Sequence, residues 1–267
     1  MNICVCIKQV PDTNRIKIDP VTNTLVRKGV PSIINPFDTF AVEMAAKLKE
    51  QHGGKAVVLS MGPQQAAQAL RVCLSVGADE AYLASDRAFG GSDTLATGYI
   101  LAGAIRKIEE LEGIRFDLIF CGKQAIDGDT AQVGPQIAEQ LGMAQVTYAM
   151  DVAGNRDYAV VKREVDTGYD IVRVQTPAVI TVVHTEQMPR YATYHTRCEA
   201  KKKEIHILSA AELDSLDPDK CGLKGSPTKV VNTYTPSVQK LGIRIEGETA
   251  EELAEKLVAV MDEKRLL

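Results

Sequence analysis

Two stretches combine residue types that could hold a phosphorylated ligand. Residues 121–134 read CGKQAIDGDTAQVG and follow the apolar run 116–120, with one lysine, two aspartates and three glycines. Asp127 and Asp129 disfavour a bare triphosphate unless a metal intervenes. They suit groups that donate hydrogen bonds, such as a ribose hydroxyl or an adenine amino group. A helix starts nearby in one of two ways: Asp129 caps it with Gln132 at the third position, or Gly134 caps it and Pro135 is its first residue. Both leave backbone amides free. The second stretch, GGSDTLATG at 90–98, sets Gly90, Gly91, Ser92, Asp93, Thr94 and Thr97 at a helix start. Open amides, the positive end of the helix dipole and hydroxyl donors would make a diphosphate cradle there. Aspartate or serine after a glycine turn is equally an ordinary helix cap, in which Asp93 orients the helix start. Neither G-x-x-x-x-G-K-S/T nor a G-x-G-x-x-G after the first strand occurs.

The first half alternates short β-type runs with helical patterns, which predicts an α/β fold with a doubly wound, mostly parallel sheet. Residues 2–10 read as one buried strand and 16–29 as a hairpin excursion. Residues 35–53 read as a helix with Asn35 as N-cap, Pro36 at N1, Asp38 in the first turn and Gly53 at its end. Phe40, Met44, Ala45 and Leu48 recur at helical spacing and face the core. Strands at 55–62, 80–85 and 115–122 each lead through a loop into a helix. Parallel strands end on the same side, so segments 6–9, 60–63, 90–97 and 121–134 share the sheet edge at which such folds bind ligands.

After Gly142, the alternating runs 145–154, 157–166, 169–176 and 178–185 predict an antiparallel β extension with a hairpin turn at Asp166-Thr167-Gly168. Residues 187–203 are basic and aromatic without a clear period, and 216–242 read as an extended arm. The arm ends in an amphipathic helix where Thr249 and Glu252 are spaced as a capping box and Leu253, Leu257 and Met261 form one stripe, which is expected to lie on a partner subunit. The expected division is an α/β nucleotide-binding domain with its extension at 1–185 and a recognition loop plus partner-wrapping arm at 186–267.

Composition narrows the function classes. The 267 residues are 45% hydrophobic and 25% charged with a net charge of -4, enough for one large core and too acidic for a general nucleic-acid binder. The six cysteines include no C-x-x-C pair, so no metal is expected, and Cys4 and Cys6 share a strand face as small core residues. The four histidines are isolated and there is no G-x-S-x-G, so hydrolase chemistry has no anchor. No apolar run approaches the ~20 residues of a membrane span, and the first residues lack a charged leader; the expected location is cytoplasmic.

CVCIKQVPDT, NPFD, SMGP, CGKQAIDGDTAQVGPQIAEQLG and PRYAT followed by AKKKEI resemble, in order and spacing, the β subunit of electron-transfer flavoproteins over nearly the whole chain. The resemblance implies an adenine-nucleotide α-hydrolase-like fold and a larger α subunit that carries FAD on a mobile domain. In the respiratory type the β subunit holds a structural AMP; in the bifurcating type a second FAD places its adenosine half there. The adenosine contacts it implies are Cys6, Asn35, Pro36, Phe37, Asp38, Met61 with the adjoining Gly62, and Gly122, Lys123, Gln124, Ala125, Ile126, Asp127, Gly128, Asp129, Thr130, Ala131, Gln132 and Val133. DRAFGGSDTLAT (86–97) resembles the segment of the bifurcating branch where the flavin ring and NADH are placed, a run the respiratory type lacks. FAD is therefore expected, with phosphate contacts from Thr94, Thr97 and the Gly90-Gly91 backbone and no acid–base residue from the protein.

PRYATYHTRCEAKKK (189–203) resembles the recognition loop that docks on a flavin dehydrogenase, through Arg190, Tyr191 and Tyr194; Tyr194 stands at the anchor position where the respiratory type has leucine. The function implied is hydride transfer from NADH to the β-bound flavin. One electron then passes to ferredoxin or flavodoxin and one, through the α-subunit FAD, to a dehydrogenase of the acyl-CoA dehydrogenase type, with activity only in the complex. Two alternatives stand beside it: a subunit that binds structural AMP and docks the dehydrogenase, and an ATP-using enzyme of the same fold. GGSDT resembles the pyrophosphatase loop S-G-G-x-D-S/T, although that loop follows the first strand and Phe89 here replaces its leading serine.

Overall fold

The computed structural model describes residues 1–12, 31–231 and 242–267. Strand β1 (Ile3–Ile7) is buried along its whole length, as the middle strand of a sheet covered on both faces must be. It is shorter than the strand expected at 2–10. The Lys8 amide donates to Asp38 Oδ2 at 2.7 Å instead of to a neighbouring strand, so the chain leaves the sheet there. It continues as β2 (Gln9–Pro11), which pairs antiparallel with β3 (Ser32–Ile34) in a separate ribbon. The hairpin expected at 16–29 falls outside the described residues.

Helix α1 (Pro36–His52) has Asn35 at the N-cap position, Pro36 at N1 and Gly53 at its end, and it buries Phe40, Met44, Ala45 and Leu48 as its spacing requires. The Asn35 side chain does not cap the helix; it is used elsewhere, as described below. Strand β4 (Ala56–Met61) leads through a 3₁₀ turn (Gln64–Ala66) into α2 (Ala67–Ser75), and β5 (Glu80–Ala84) leads through a 3₁₀ turn (Arg87–Phe89) into α3 (Thr94–Glu112). β6 (Leu118–Gly122) is followed by the loop 123–132 and α4 (Val133–Leu141).

The second half departs from expectation in the place of its last strand. β7 (Ala144–Gly154), β8 (Tyr158–Val165) and β9 (Gly168–Gln175) form the antiparallel extension, with a two-residue turn at 166–167. β10 (Ala178–Val182) is not part of it. All five of its residues are buried, and it lies parallel between β6 and β7. A strand buried on both faces carries apolar residues at every position, which a short run cannot distinguish from alternation by composition alone.

Residues 194–202, part of the stretch read as having no clear period, form α5 (Tyr194–Lys202), capped by a reciprocal box between Thr193 and Thr196. Only Ala200 of this helix is buried, so there was no apolar period to read. Arg71 Nη1 fastens it by donating to the Ala200 carbonyl at 2.6 Å. β11 (His206–Leu208) then adds a parallel edge strand beside β5.

The sheet order is β11-β5-β4-β1-β6-β10-β7-β8-β9. Residues of α1, α2 and α5 share the core on one face of the sheet, and those of α3 and α4 share the other. From β1 the chain builds outward through β4 and β5, then crosses to β6 on the opposite side of β1. That reversal opens a crevice at the carboxyl ends of the central strands.

The compact unit is Met1–Val231. Residues 216–231, expected as the start of an extended arm, belong to it: a Cβ on Gly103 would lie 2.4 Å from Leu216 Cδ2, and one on Gly222 would lie 2.3 Å from the Ala88 carbonyl oxygen. In the second unit, α6 (Ala250–Glu263) starts with Thr249 Oγ1 accepting from the Glu252 amide at 3.2 Å. Glu252 reaches back to the Glu248 amide at 3.0 Å, one residue beyond the expected box partner. No residue of α6 is buried, and Leu253 and Leu257 are exposed. Among the described residues no helix is long and apolar enough to cross a membrane.

Candidate functional site

The carboxyl ends of β1, β4, β5 and β6 open on one cleft of about 1110 Å³. Its walls bring together Cys6, Asn35, Asp38, Met61, Gly62, Gly90, Gly91, Ser92, Asp93, Thr94, Thr97, Gly122, Lys123, Gln124, Ala125, Gly128, Thr130, Ala131, Gln132 and Val133. Pro36, Phe37, Ile126, Asp127 and Asp129 are close in sequence but do not line it. Asp127 pairs with Lys8 Nζ at 2.6 Å, and Asp129 accepts from Gln124 Nε2 at 2.8 Å. Both carboxylates expected to meet a ribose or an adenine are thus engaged within the protein.

Asp38 ties three elements together. Its carboxylate accepts from the Lys8 amide at the end of β1, from Asn35 Nδ2 at 2.9 Å, and from the Gly122 amide at the end of β6 at 3.1 Å. Burial pushes this carboxyl up to about 7, against the pull of the same three donors. Asn35 extends the network: its Nδ2 also donates to the Gln124 carbonyl at 2.8 Å, and its Oδ1 accepts from the Ile126 amide at 3.1 Å. Asparagine is required because both an acceptor and a donor are used. The loop after β6 is therefore shaped from α1, a separation of about ninety positions that no local pattern could reveal.

The same loop holds Asp129 at φ 50° and Ala131 at φ 53°, left-handed conformations that side chains other than glycine seldom adopt. Such backbone is kept where the surroundings over-determine it, and it clusters at ligand sites. α4 begins with Gln132 at the N-cap position and Pro135 in the first turn, so neither of the two starts read from the sequence is realised. Proline is tolerated there because first-turn amides have no intrahelical acceptor. A Cβ on Gly134 would lie 2.4 Å from Thr181 Cγ2, which sets the close approach of α4 to β10.

At the other end of the cleft, Asp93 caps α3 through Oδ1, which accepts from the Ala96 amide at 3.0 Å, while Oδ2 accepts from the Thr228 amide at 2.9 Å. Burial would raise this carboxyl, but these amides hold it below its ordinary value. Thr94 Oγ1 donates to Gln132 Oε1 at 2.9 Å, joining the starts of α3 and α4. Gly91, at φ +73°, needs its missing side chain because a Cβ would lie 2.5 Å from Leu223 Cγ. Ser226 completes the brace: its Oγ accepts from the Asp93 amide at 2.8 Å and donates to the Gly222 carbonyl at 2.7 Å. Sequence reasoning missed 221–228 as the support of this loop; its only local signal was the Gly222 and Gly225 spacing before Ser226.

Cys6 and Cys121 sit side by side on β1 and β6 at the cleft floor. The hydrogen bond between them lowers Cys6, but its bond with Cys4 and its burial carry it well above the usual thiol range. The same bond and burial raise Cys121. Both are neutral thiols and poor nucleophiles. Asp86 accepts from the Ala88 and Ala210 amides at 2.9 and 3.0 Å, so Asp38, Asp86 and Asp93, the carboxylates lining the cleft, all hold backbone amides. Among the described residues no histidine lines it. The cleft presents helix starts, hydroxyls and small residues, a donor set for binding a phosphorylated ligand and not for proton transfer.

Of the residues expected at a partner surface, Tyr191 and Tyr194 are 89% and 86% exposed, whereas the Arg190 guanidinium is engaged by Glu43 and Glu50 of α1.

Comparison with known proteins bears on the same chain. The electron transfer flavoprotein domain matches residues 22–213. Electron transfer flavoprotein subunit beta of Thermoanaerobacterium thermosaccharolyticum is 52% identical over 261 residues, 96% of this chain and 98% of that one. The caffeyl-CoA reductase-Etf complex subunit CarD of Acetobacterium woodii is 46% identical over the full length of both chains. Protein FixA of Azorhizobium caulinodans is 48% identical over 90% of this chain and 86% of its own. With a parallel sheet open at its switch point, a cleft made of helix starts, and relatives alike from end to end, the chain belongs to the electron transfer flavoprotein family as a β subunit.

Proposed function

We propose that the cleft holds FAD, with its adenosine half against the 122–133 loop and the remainder directed toward Gly90, Gly91, Thr94 and Thr97. The observation that carries this reading is the continuity and size of the cleft. One cavity of about 1110 Å³ reaches from the loop after β6 to the start of α3, above the roughly 300–1,000 Å³ usual for a small-ligand pocket. The starts of α3 and α4, joined by Thr94 and Gln132, both line this space, and the positive ends of two helix dipoles suit a diphosphate. Cys6 and Cys121 contribute neutral, apolar bulk to the floor.

When bound, the flavin supplies the redox chemistry: a hydride from NADH, then one electron to a ferredoxin or flavodoxin and one, through the α-subunit FAD, to a flavin dehydrogenase of the acyl-CoA dehydrogenase type. The protein's residues orient and enclose the cofactor; among the described residues the cleft carboxylates Asp38, Asp86 and Asp93 are each taken up by backbone amides. The stripe of α6 lies on the α subunit, and Tyr191 and Tyr194 dock the dehydrogenase.

The test is to co-express the chain with its α subunit, count FAD and AMP per heterodimer, and add NADH without oxygen. Two FAD and bleaching by NADH are expected. One FAD with AMP and no bleaching would replace this reading by that of a structural AMP.

A further inference from the structure

The segment that presents Tyr191 and Tyr194 is braced from behind against α1, at Gln187 by Lys47 and at Arg190 by two carboxylates. Arg190 Nε donates to Glu43 Oε2 at 2.8 Å and its backbone amide donates to the same oxygen at 3.0 Å; Nη2 reaches Glu43 Oε1 at 3.2 Å and Glu50 Oε2 at 3.0 Å, and Nη1 bonds Glu50 Oε1. Glu43 and Glu50 lie two helical turns apart on one face of α1, so a single planar guanidinium can bridge them. Glu43 is 7% exposed, and a carboxylate buried to that degree needs a cationic partner; Arg190 at 2.8 Å is the hydrogen-bonded one and Lys47 at 3.6 Å the more distant. The Arg190 guanidinium is held well above its ordinary value and Glu50 below its own, first through their mutual hydrogen bond.

We propose that Arg190 is a positioning residue: gripped by Glu43 and Glu50, it fixes residues 187–194 in a preformed docking shape instead of touching the partner itself. The same α1 supplies Asn35 and Asp38 to the cleft at its other end, so the docking segment is registered to the helix that shapes the cofactor loop. The proposal rests on the reading of Tyr191 and Tyr194 as the dehydrogenase contact.

Its chemistry is that of preorganisation. A segment that must be ordered at the moment of docking binds more weakly by the fraction of time it is already competent. Arg190→Lys keeps the charge but cannot bridge two carboxylates, so it should not rescue.

The heterodimer is used, with a short-chain acyl-CoA dehydrogenase as electron acceptor. Arg190→Gln and the milder Glu50→Gln are expected to raise the KM for the heterodimer by about tenfold and about threefold, with kcat, bound FAD and NADH bleaching unchanged. Arg190→Lys should resemble Arg190→Gln. Hydrogen exchange of the free heterodimer should show the Arg190 amide losing protection in Arg190→Gln while the β1 amides keep theirs. Tyr194→Ala separates the two levels. If it raises KM while the Arg190 and Glu50 variants leave KM unchanged, the positioning role is overturned and the docking reading survives. If Tyr194→Ala also leaves KM unchanged, the docking reading fails and the proposal with it.

Discussion

The Gly122 amide donates to Asp38 Oδ1 at 3.1 Å, and a Cβ on Gly122 would lie 2.2 Å from that same oxygen and 2.8 Å from Phe37 Cβ. The end of β6 and the first turn of α1 are thus in contact through a buried charge, with no room for a side chain between them. Gly122→Ala must push α1 from β6 or break the hydrogen bond. The expected cost is about 1–3 kcal/mol, as for other overpacked sites, with loss of bound nucleotide. Urea unfolding and cofactor counting check it; wild-type values for both would show that the contact yields freely.

Asp38 gives a pH dependence. Its folded value of about 7 lies above the ~3.9 of an unfolded aspartate. A carboxyl that holds its proton more tightly when folded contributes stability that is fully present below about pH 4 and is lost as pH rises through about 7. Between pH 5 and pH 8 the wild type should therefore lose about 2–3 kcal/mol of unfolding free energy relative to Asp38→Asn. A difference that stays constant across that range would mean that the carboxyl is ionised throughout.

Gly91 is a backbone requirement and not an open wall of the cleft. Gly91→Ala should destabilise by about 1–2 kcal/mol from its positive φ, plus the overlap with Leu223. Leu223→Ala in the same chain should recover the overlap but not the conformational part. Full recovery in the double variant would place the whole cost in packing.

Ser226 braces the Gly90–Asp93 loop from far along the chain. Ser226→Ala leaves the Asp93 amide without its acceptor, which should cost about 1–3 kcal/mol and weaken retention of the β-subunit cofactor while sparing that of the α subunit. Equal loss from both subunits would point to general unfolding instead.

Much of this was legible in local pattern. α1 begins after Asn35 and ends at Gly53 because proline at N1 and a glycine at the end act on their own few residues. Strand–loop–helix alternation likewise placed the segments around Gly62, Gly90 and Gly122 at one sheet edge. β10 was misread because central burial erases alternation, and α5 left no period to read because only Ala200 is buried.

What the sequence determined by itself is the strand–loop–helix alternation from β1 to α4, the edge at which it opens and the small, donor-rich loops that meet there, since propensity, capping and period are properties of neighbouring residues. Only the tertiary structure decided how each polar side chain is used. Asn35, Asp38, Asp93 and Arg190 are read alone as caps or contacts; they become braces because residues 124 and 126 arrive beside Asn35, 8 and 122 beside Asp38, 228 beside Asp93 and 43 beside Arg190. A hydrogen bond needs partners within about 3 Å, and which partner comes that close is settled by how the helices and strands pack.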